Sequence, residues 1–127
     1  MGGVTYDSGA LIAADRGERR MWVRHAALIA NHILPVVPAA VVAEVWRDGA
    51  RQANLARLLV TCEVEALTDA QARRVGVLAA RSGHADIVDL AVLEGAARRG
   101  DTIVTCDPRD IDAIAGATGA PVRVEAI

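Results

Sequence analysis

The sequence predicts an α/β fold in which a mainly parallel central sheet is flanked by helices on both faces. Three observations carry this expectation. Strand-like and helix-like segments alternate along the whole chain, the pattern of a parallel sheet covered by crossover helices. The two clearest strands, Val4-Thr5-Tyr6 and Thr102-Ile103-Val104-Thr105-Cys106, each run directly into an Asp and then a helix. The 127 residues are 53% hydrophobic, mostly Ala, Val, Leu and Ile, enough for one aliphatic core and a single domain over residues 1–127.

The elements follow in order. Val4 to Tyr6 is rich in β-branched and aromatic side chains, which suit a pleated surface. Asp7 then opens a helix through Ala14, broken by Asp15-Arg16-Gly17-Glu18. A second helix spans Glu18 to Asn31, with Met21, Trp22, Val23, Ala26, Ala27 and Ile29 apolar and Arg19, Arg20 and Arg24 on its other side. His25 and His32 are assigned to its polar surface. Ile33 to Pro38 is a short strand whose prolines limit its pairing. Helices follow over Ala39 to Asp48, stopped by Gly49, and over Gln52 to Val60, with Leu55, Leu58 and Leu59 facing the core.

Cys62 to Leu67 alternates like a strand, and Thr68-Asp69-Ala70-Gln71 is a capping box that starts a helix ending near Ser82-Gly83. His84-Ala85-Asp86-Ile87-Val88-Asp89 opens the next helix, which runs to Arg99 before Gly100. After the strand Thr102 to Cys106, Asp107 caps and Pro108 begins a last helix to about Ala117. A strand Val122-Arg123-Val124 closes the pattern.

Composition excludes several chemistries. All 14 basic residues are Arg, so there is no phosphate-loop Lys, no Schiff-base Lys and no Ser–Lys dyad. A net charge of −2 does not fit a nonspecific nucleic-acid coat. Cys62 and Cys106 form no Cys-x-x-Cys pair and read as small buried thiols. No run is long enough to span a membrane and no signal peptide is visible, so the cytoplasm is the expected location. Ser8 lacks the flanking glycines of a nucleophile elbow.

What remains is a set of acids. Asp7 and Asp107 follow strands, Glu44 lies in Val41-Val42-Ala43-Glu44-Val45-Trp46, and Asp89 lies in Ile87-Val88-Asp89-Leu90-Ala91. In an open parallel sheet, sites gather outside the carboxyl ends of the strands, where Asp7 and Asp107 fall. Carboxylates held together raise one another's pKa values unless a cation compensates. Arg pairing would make the cluster structural, for example Glu44 with Arg47 or Arg51. A hard divalent ion such as Mg²⁺ would make it a metal site. Asp86, three residues before Asp89, is either a fifth ligand or an acid favoured by the helix dipole.

These segments resemble the PIN-domain ribonucleases, in particular the VapC-type toxins of bacterial toxin–antitoxin pairs. The resemblance covers essentially the whole chain. It rests on Tyr6-Asp7-Ser8-Gly9-Ala10-Leu11-Ile12-Ala13, on Val42-Ala43-Glu44-Val45, on Asp86-Ile87-Val88-Asp89-Leu90-Ala91-Val92 leading to Arg99-Gly100, and on Ile103-Val104-Thr105-Cys106-Asp107-Pro108-Arg109-Asp110-Ile111. The departure is Ile111, where many relatives carry Phe. The resemblance implies Asp7, Glu44, Asp89 and Asp107 as catalytic acids. It makes the same four, with Asp86, ligands of Mg²⁺ or Mn²⁺ for endonucleolytic RNA cleavage. It also implies a homodimer and inhibition by a cognate VapB-type antitoxin. Arg16, Arg19, Arg20 and Arg109 are candidates for flanking phosphates. The rival reading is a non-catalytic α/β interaction module whose acids are satisfied by Arg.

Overall fold

The computed structural model describes residues 2–127. Five short strands, β1 (Val4–Tyr6), β2 (Val36–Pro38), β3 (Glu63–Glu65), β4 (Thr102–Thr105) and β5 (Arg123–Ala126), form one all-parallel sheet in the order β3-β2-β1-β4-β5. Seven helices connect them: α1 (Ser8–Asp15), α2 (Arg19–Ala30), α3 (Ala39–Val45), α4 (Ala53–Val60), α5 (Asp69–Ser82), α6 (Ile87–Arg99) and α7 (Pro108–Thr118). A single 3₁₀ turn, Gly49–Arg51, links α3 to α4. This is the single PIN-like α/β arrangement expected from the sequence.

Side-chain alternation along β1 shows how the two faces are covered. Thr5 points to Arg99 at the end of α6, whereas Tyr6 points to His25 on α2. The first face is covered by α6, which packs against β1, β2 and β4 with α5 and α7 alongside. On the second, α1 packs against β1 and β4, and α2 and α4 pack on α1. Tyr6, Leu11, Met21, Leu55, Leu58, Leu90, Leu93 and Ile103 are fully enclosed between these layers. At about 25 cal/mol per Å², burial of such aliphatic side chains drives the fold.

Several boundaries differ from the sequence reading. The strand at Ile33 to Pro38 shrinks to Val36–Pro38, yet it pairs on both sides, with β1 and β3. The prolines do not confine it to an edge, because Pro35 precedes the strand and Pro38 is its last residue. The helix expected to reach Asp48 ends at Val45, where Trp46 turns extended, and Asp48 instead caps the 3₁₀ turn. The Cys62 to Leu67 strand is only Glu63–Glu65 and lies at the exposed edge. Thr68 caps α5 as expected by accepting from the Gln71 amide at 3.1 Å. The Gln71 side chain does not complete the capping box but donates to Glu65 at 3.2 Å.

Two side-chain assignments are corrected. His25 is buried rather than on the surface, since α2 lies under β1 and α4 and that face needs a polar partner for Tyr6. Cys106 is exposed rather than buried, because β4 ends at Thr105 and the chain bends out of the sheet there. Cys62 is half-buried, and burial pushes its thiol up to about 12.

Candidate functional site

The strand order places the site. From β1 the chain steps outward to β2 and β3, then returns to the other side of β1 for β4 and β5. The reversal lies between β1 and β4, and ligands of open α/β sheets bind in the crevice outside the carboxyl ends at such a point. Tyr6 is in register with Val104, so Asp7 emerges level with Thr105, two residues before Asp107.

Asp7 is the most enclosed of the acids, with 8% of its surface exposed. It caps α1, its Oδ1 accepting from the Ala10 amide at 3.0 Å. The Thr105 hydroxyl also hydrogen-bonds its carboxylate. Burial raises the Asp7 pKa; the hydrogen bonds from Thr105, Ala10 and Gly9 oppose that, and the Glu44 carboxylate adds to it. Gly9 lets α1 approach β4 closely: a Cβ there would lie 3.1 Å from the Cys106 Cβ and 3.4 Å from Asp7 Oδ1.

Glu44 reaches the same place from α3. Val41 and Val45 turn inward, which leaves Glu44 on the outer side of that helix. The Ser8 hydroxyl donates a short hydrogen bond to Glu44 Oε1, tying α3 to the start of α1. Asp89 comes from the first turn of α6, its side chain about one-third exposed. Burial, the Asp86 carboxylate, and more weakly Glu44 and Asp7 push its pKa up to about 6, while His84 pulls the other way. Asp86 caps α6, its Oδ1 accepting from the amides of Val88 at 3.0 Å and Asp89 at 3.2 Å. Asp107 caps α7, accepting from the Arg109 amide at 3.2 Å, and its own amide donates to Thr105 Oγ1 at 3.0 Å.

Thus Asp7, Glu44, Asp86 and Asp89 share one electrostatic neighbourhood, and Asp107 is tied to it through Thr105. The expectation that each acid is enclosed by its apolar sequence neighbours is corrected. Glu44, Asp86 and Asp107 are exposed, because on a helix the flanking apolar residues turn toward the core and the acid turns outward. The acids form an open rim around the enclosed Asp7.

Among the described residues, none of these five acids makes an ion pair with Arg. The pairing of Glu44 with Arg47 or Arg51 does not occur: Arg47 donates to the carbonyls of Ala43 and Trp46, and Arg51 faces Asp48. An Arg–acid network does exist, but it joins Glu65, Glu94 and Asp101 to Arg74, Arg98 and Arg99. Among the described residues no three His, Cys, Asp or Glu side chains form a ready-made metal cage. The donor set is instead hard, oxygen-only and open. That fits Mg²⁺, which keeps several waters and takes only one or two carboxylates directly.

The sequence reading did not single out Thr105, Ser8 and His84 as partners of these acids. Ser8 and Thr105 flank the strand ends that carry Asp7 and Asp107, and that adjacency was their signal. His84 lies 3.7 Å from Asp89 through Nε2, beyond hydrogen-bond reach.

No protein-family model and no curated protein matches the chain. Solved structures do match it. A chain of VapBC2 from Rickettsia felis, bound to a DNA fragment from their promoter, superposes with a TM-score of 0.74 at 15% identity, covering 98% of each chain. A chain of the DNA-bound VapBC from Salmonella typhimurium gives 0.72 at 19% identity, covering 99% of this chain and 98% of that one. The resemblance drawn from the sequence therefore holds at the level of the fold over nearly the whole chain.

Proposed function

We propose that this chain is a metal-dependent endoribonuclease and the toxin of a toxin–antitoxin pair. The observation that carries the proposal is the group of acids at the β1/β4 switch point, which repel one another and have no Arg to neutralise them. Their position in a fold shared with chains of VapBC complexes supports the toxin reading. A VapB-type antitoxin is the proposed partner, a homodimer the proposed assembly and the cytoplasm the proposed location.

Asp7, Glu44, Asp89 and Asp107 would hold Mg²⁺ or Mn²⁺, with Asp86 at the rim. Such an ion supplies an activated water and neutralises charge on a phosphodiester under in-line attack. The chain's own groups prepare the site. Asp7 is fixed by the Ala10 amide and Thr105, so its carboxylate pays little ordering entropy on binding. Ser8 orients Glu44, leaving the second carboxylate oxygen available. Asp86 aligns the first turn of α6 and so directs Asp89. Four negative side chains around an open rim repel RNA in the absence of a cation, which makes substrate binding as well as cleavage depend on metal.

The interaction-module reading needs Arg to satisfy these acids, and the Arg network is committed to Glu65, Glu94 and Asp101 instead. The test is incubation of purified protein with cellular RNA in Mg²⁺ or in chelator, beside Asp7→Asn. Asn retains the side-chain oxygen that caps α1 and loses the charge. Metal-dependent cutting by the parent, reduced at least about 100-fold in the variant, is expected. If neither protein cuts and Mg²⁺ or Mn²⁺ leaves the melting temperature unmoved, the metal-site reading fails.

A further inference from the structure

Beside the acidic rim, between the loop that leads into α6 and the outer side of α7, lies a cavity of about 320 Å³. Its apolar wall is Ala113, Ile114 and Ala117 of α7; its polar wall is His84, Asp89 and Asp110. Asp89 belongs to both the rim and the cavity, so whatever fills the cavity sits next to the acids. Three features define its occupant. The His84 Nε2 atom is shielded from solvent and has no hydrogen-bond partner, and it is the one buried side-chain polar atom so placed among the described residues. Asp110 makes no ion pair among the described residues. The volume is at the small end of ligand sites, which run from about 300 to 1,000 Å³.

A phosphate is repelled by the two carboxylates. A purely apolar guest would cover Asp110 and His84 without satisfying them, at a cost of roughly 1–3 kcal/mol per polar group. The occupant must therefore be flat or compact, apolar on a face, uncharged, and furnished with donors for a carboxylate. Unstacked RNA bases meet these conditions and are recognised in this way, by their faces and by their hydrogen-bonding edges.

The four bases differ in how they meet a carboxylate. Guanine alone presents two adjacent donors, N1–H and N2–H, to the two oxygens of one carboxylate, with the O6 acceptor beside them. Adenine and cytosine offer one amino group next to an acceptor, and uracil offers one N–H between two acceptors. We infer that this cavity is a guanine subsite for the RNA strand lying across the acidic rim. Asp110 accepts from N1–H and N2–H, His84 Nε2–H donates to O6, and the methyl groups of Ala113, Ile114 and Ala117 cover one face of the ring. The inference rests on the ribonuclease reading for its ligand and adds Asp110 and His84 as specificity-determining residues.

The probe is guanosine, which carries no phosphate and needs no metal. Titration of the metal-free protein is followed by backbone amide shifts, with adenosine, cytidine and uridine at the same concentrations. Guanosine is expected to move the amides of His84, Ala113 and Ala117, the other nucleosides to leave them in place. Two exposed-site variants check the assignment without threatening the core. Asp110→Asn keeps the shape but replaces one acceptor with a donor and should weaken guanosine roughly tenfold or more, as loss of a bidentate base contact does. Ala117→Leu should fill the cavity and abolish the shifts. Absence of guanosine shifts, equal shifts from all four nucleosides, or unchanged guanosine affinity in Asp110→Asn would each overturn the inference. The two readings fail separately. Metal-dependent RNA cutting without guanosine binding removes this subsite and keeps the nuclease; guanosine binding by a protein that never cuts RNA does the reverse.

Discussion

Asp89 illustrates what an unneutralised carboxylate does to its own protein. Its pKa rises from an ordinary 3.8 to about 6, first because the side chain is partly withdrawn from water and then because Asp86, Glu44 and Asp7 surround it. For an acid raised in the folded state, the protonated form is the one the fold prefers. The contribution to stability is intact below pH 3.8 and is lost as pH climbs through about 6. Asp89→Asn removes that loss. After allowance for solvent screening, the variant should be more stable than the parent by on the order of 1 kcal/mol at pH 7.5 and no more stable at pH 4. Urea unfolding at the two pH values measures this; a gain that persisted at pH 4 would mean the effect is not electrostatic. Under the metal reading, added Mg²⁺ at pH 7.5 should close the gap by stabilising the parent more than the variant.

At the scale of elements, one buried histidine joins three of them. His25 of α2 lies against Tyr6 of β1, with Nδ1 to the Tyr6 hydroxyl at 2.9 Å, and against Thr61 after α4, with Nε2 to Oγ1 at 2.7 Å. The Thr61 hydroxyl donates its one proton to the Leu58 carbonyl, so it must accept from His25 Nε2–H. Nδ1 is then the bare nitrogen that accepts from Tyr6. This neutral tautomer is the form burial favours, and burial lowers the His25 pKa. The stabilisation is full above pH 6.5 and is lost as pH falls through and below that value. His25→Phe leaves the fully buried Tyr6 hydroxyl without a partner, a cost of about 1–3 kcal/mol at pH 7.5. The deficit should shrink at pH 5.5, where the parent pays to hold His25 neutral. An equal deficit at both pH values would reject this account.

The same histidine marks where sequence reasoning stopped. Strand-to-helix junctions were legible because their signals are local: a β-branched run, then Asp as cap, at both Asp7 and Asp107. Glu44 and Asp89 were legible as unusual acids, but their exposure was not, since an apolar neighbourhood in sequence becomes the opposite face on a helix. His25 was misplaced although it stands four residues after Met21, on the same helical face as a fully buried residue. Its burial depends on Tyr6 and Thr61, which lie 19 and 36 residues away in the chain, and no local pattern encodes that pairing.

For the whole molecule, the Arg–acid network on the α6 face has the integrating role that the candidate site lacks. Arg99 donates to Glu65 on the edge strand at 2.7 Å, to the Thr5 hydroxyl on the central strand at 2.9 Å, and to Asp101 at the start of β4 at 2.9 Å. Asp101 in turn accepts from Thr5 Oγ1 at 2.7 Å and from the Gly3 amide at 2.8 Å. The guanidinium lies back along its own helix over Gly95, where a Cβ would come within 2.9 Å of it, so a glycine in mid-helix is the cost of this arrangement. Because Asp101 is buried, removing its cation leaves an uncompensated charge inside the fold. Arg99→Met should destabilise by about 3 kcal/mol or more, seen as a lower urea midpoint with an unchanged slope. Arg99→Lys should recover little, because an ammonium cannot present the planar fork that reaches three strands at once. Gly95→Ala should also destabilise, though Ala is the better helix former, by pushing the guanidinium off its partners. If Lys restored the midpoint, the network would be one of charge alone. If Gly95→Ala stabilised, the guanidinium would have another seat, and the link between α6 and edge strand β3 would have to be sought elsewhere.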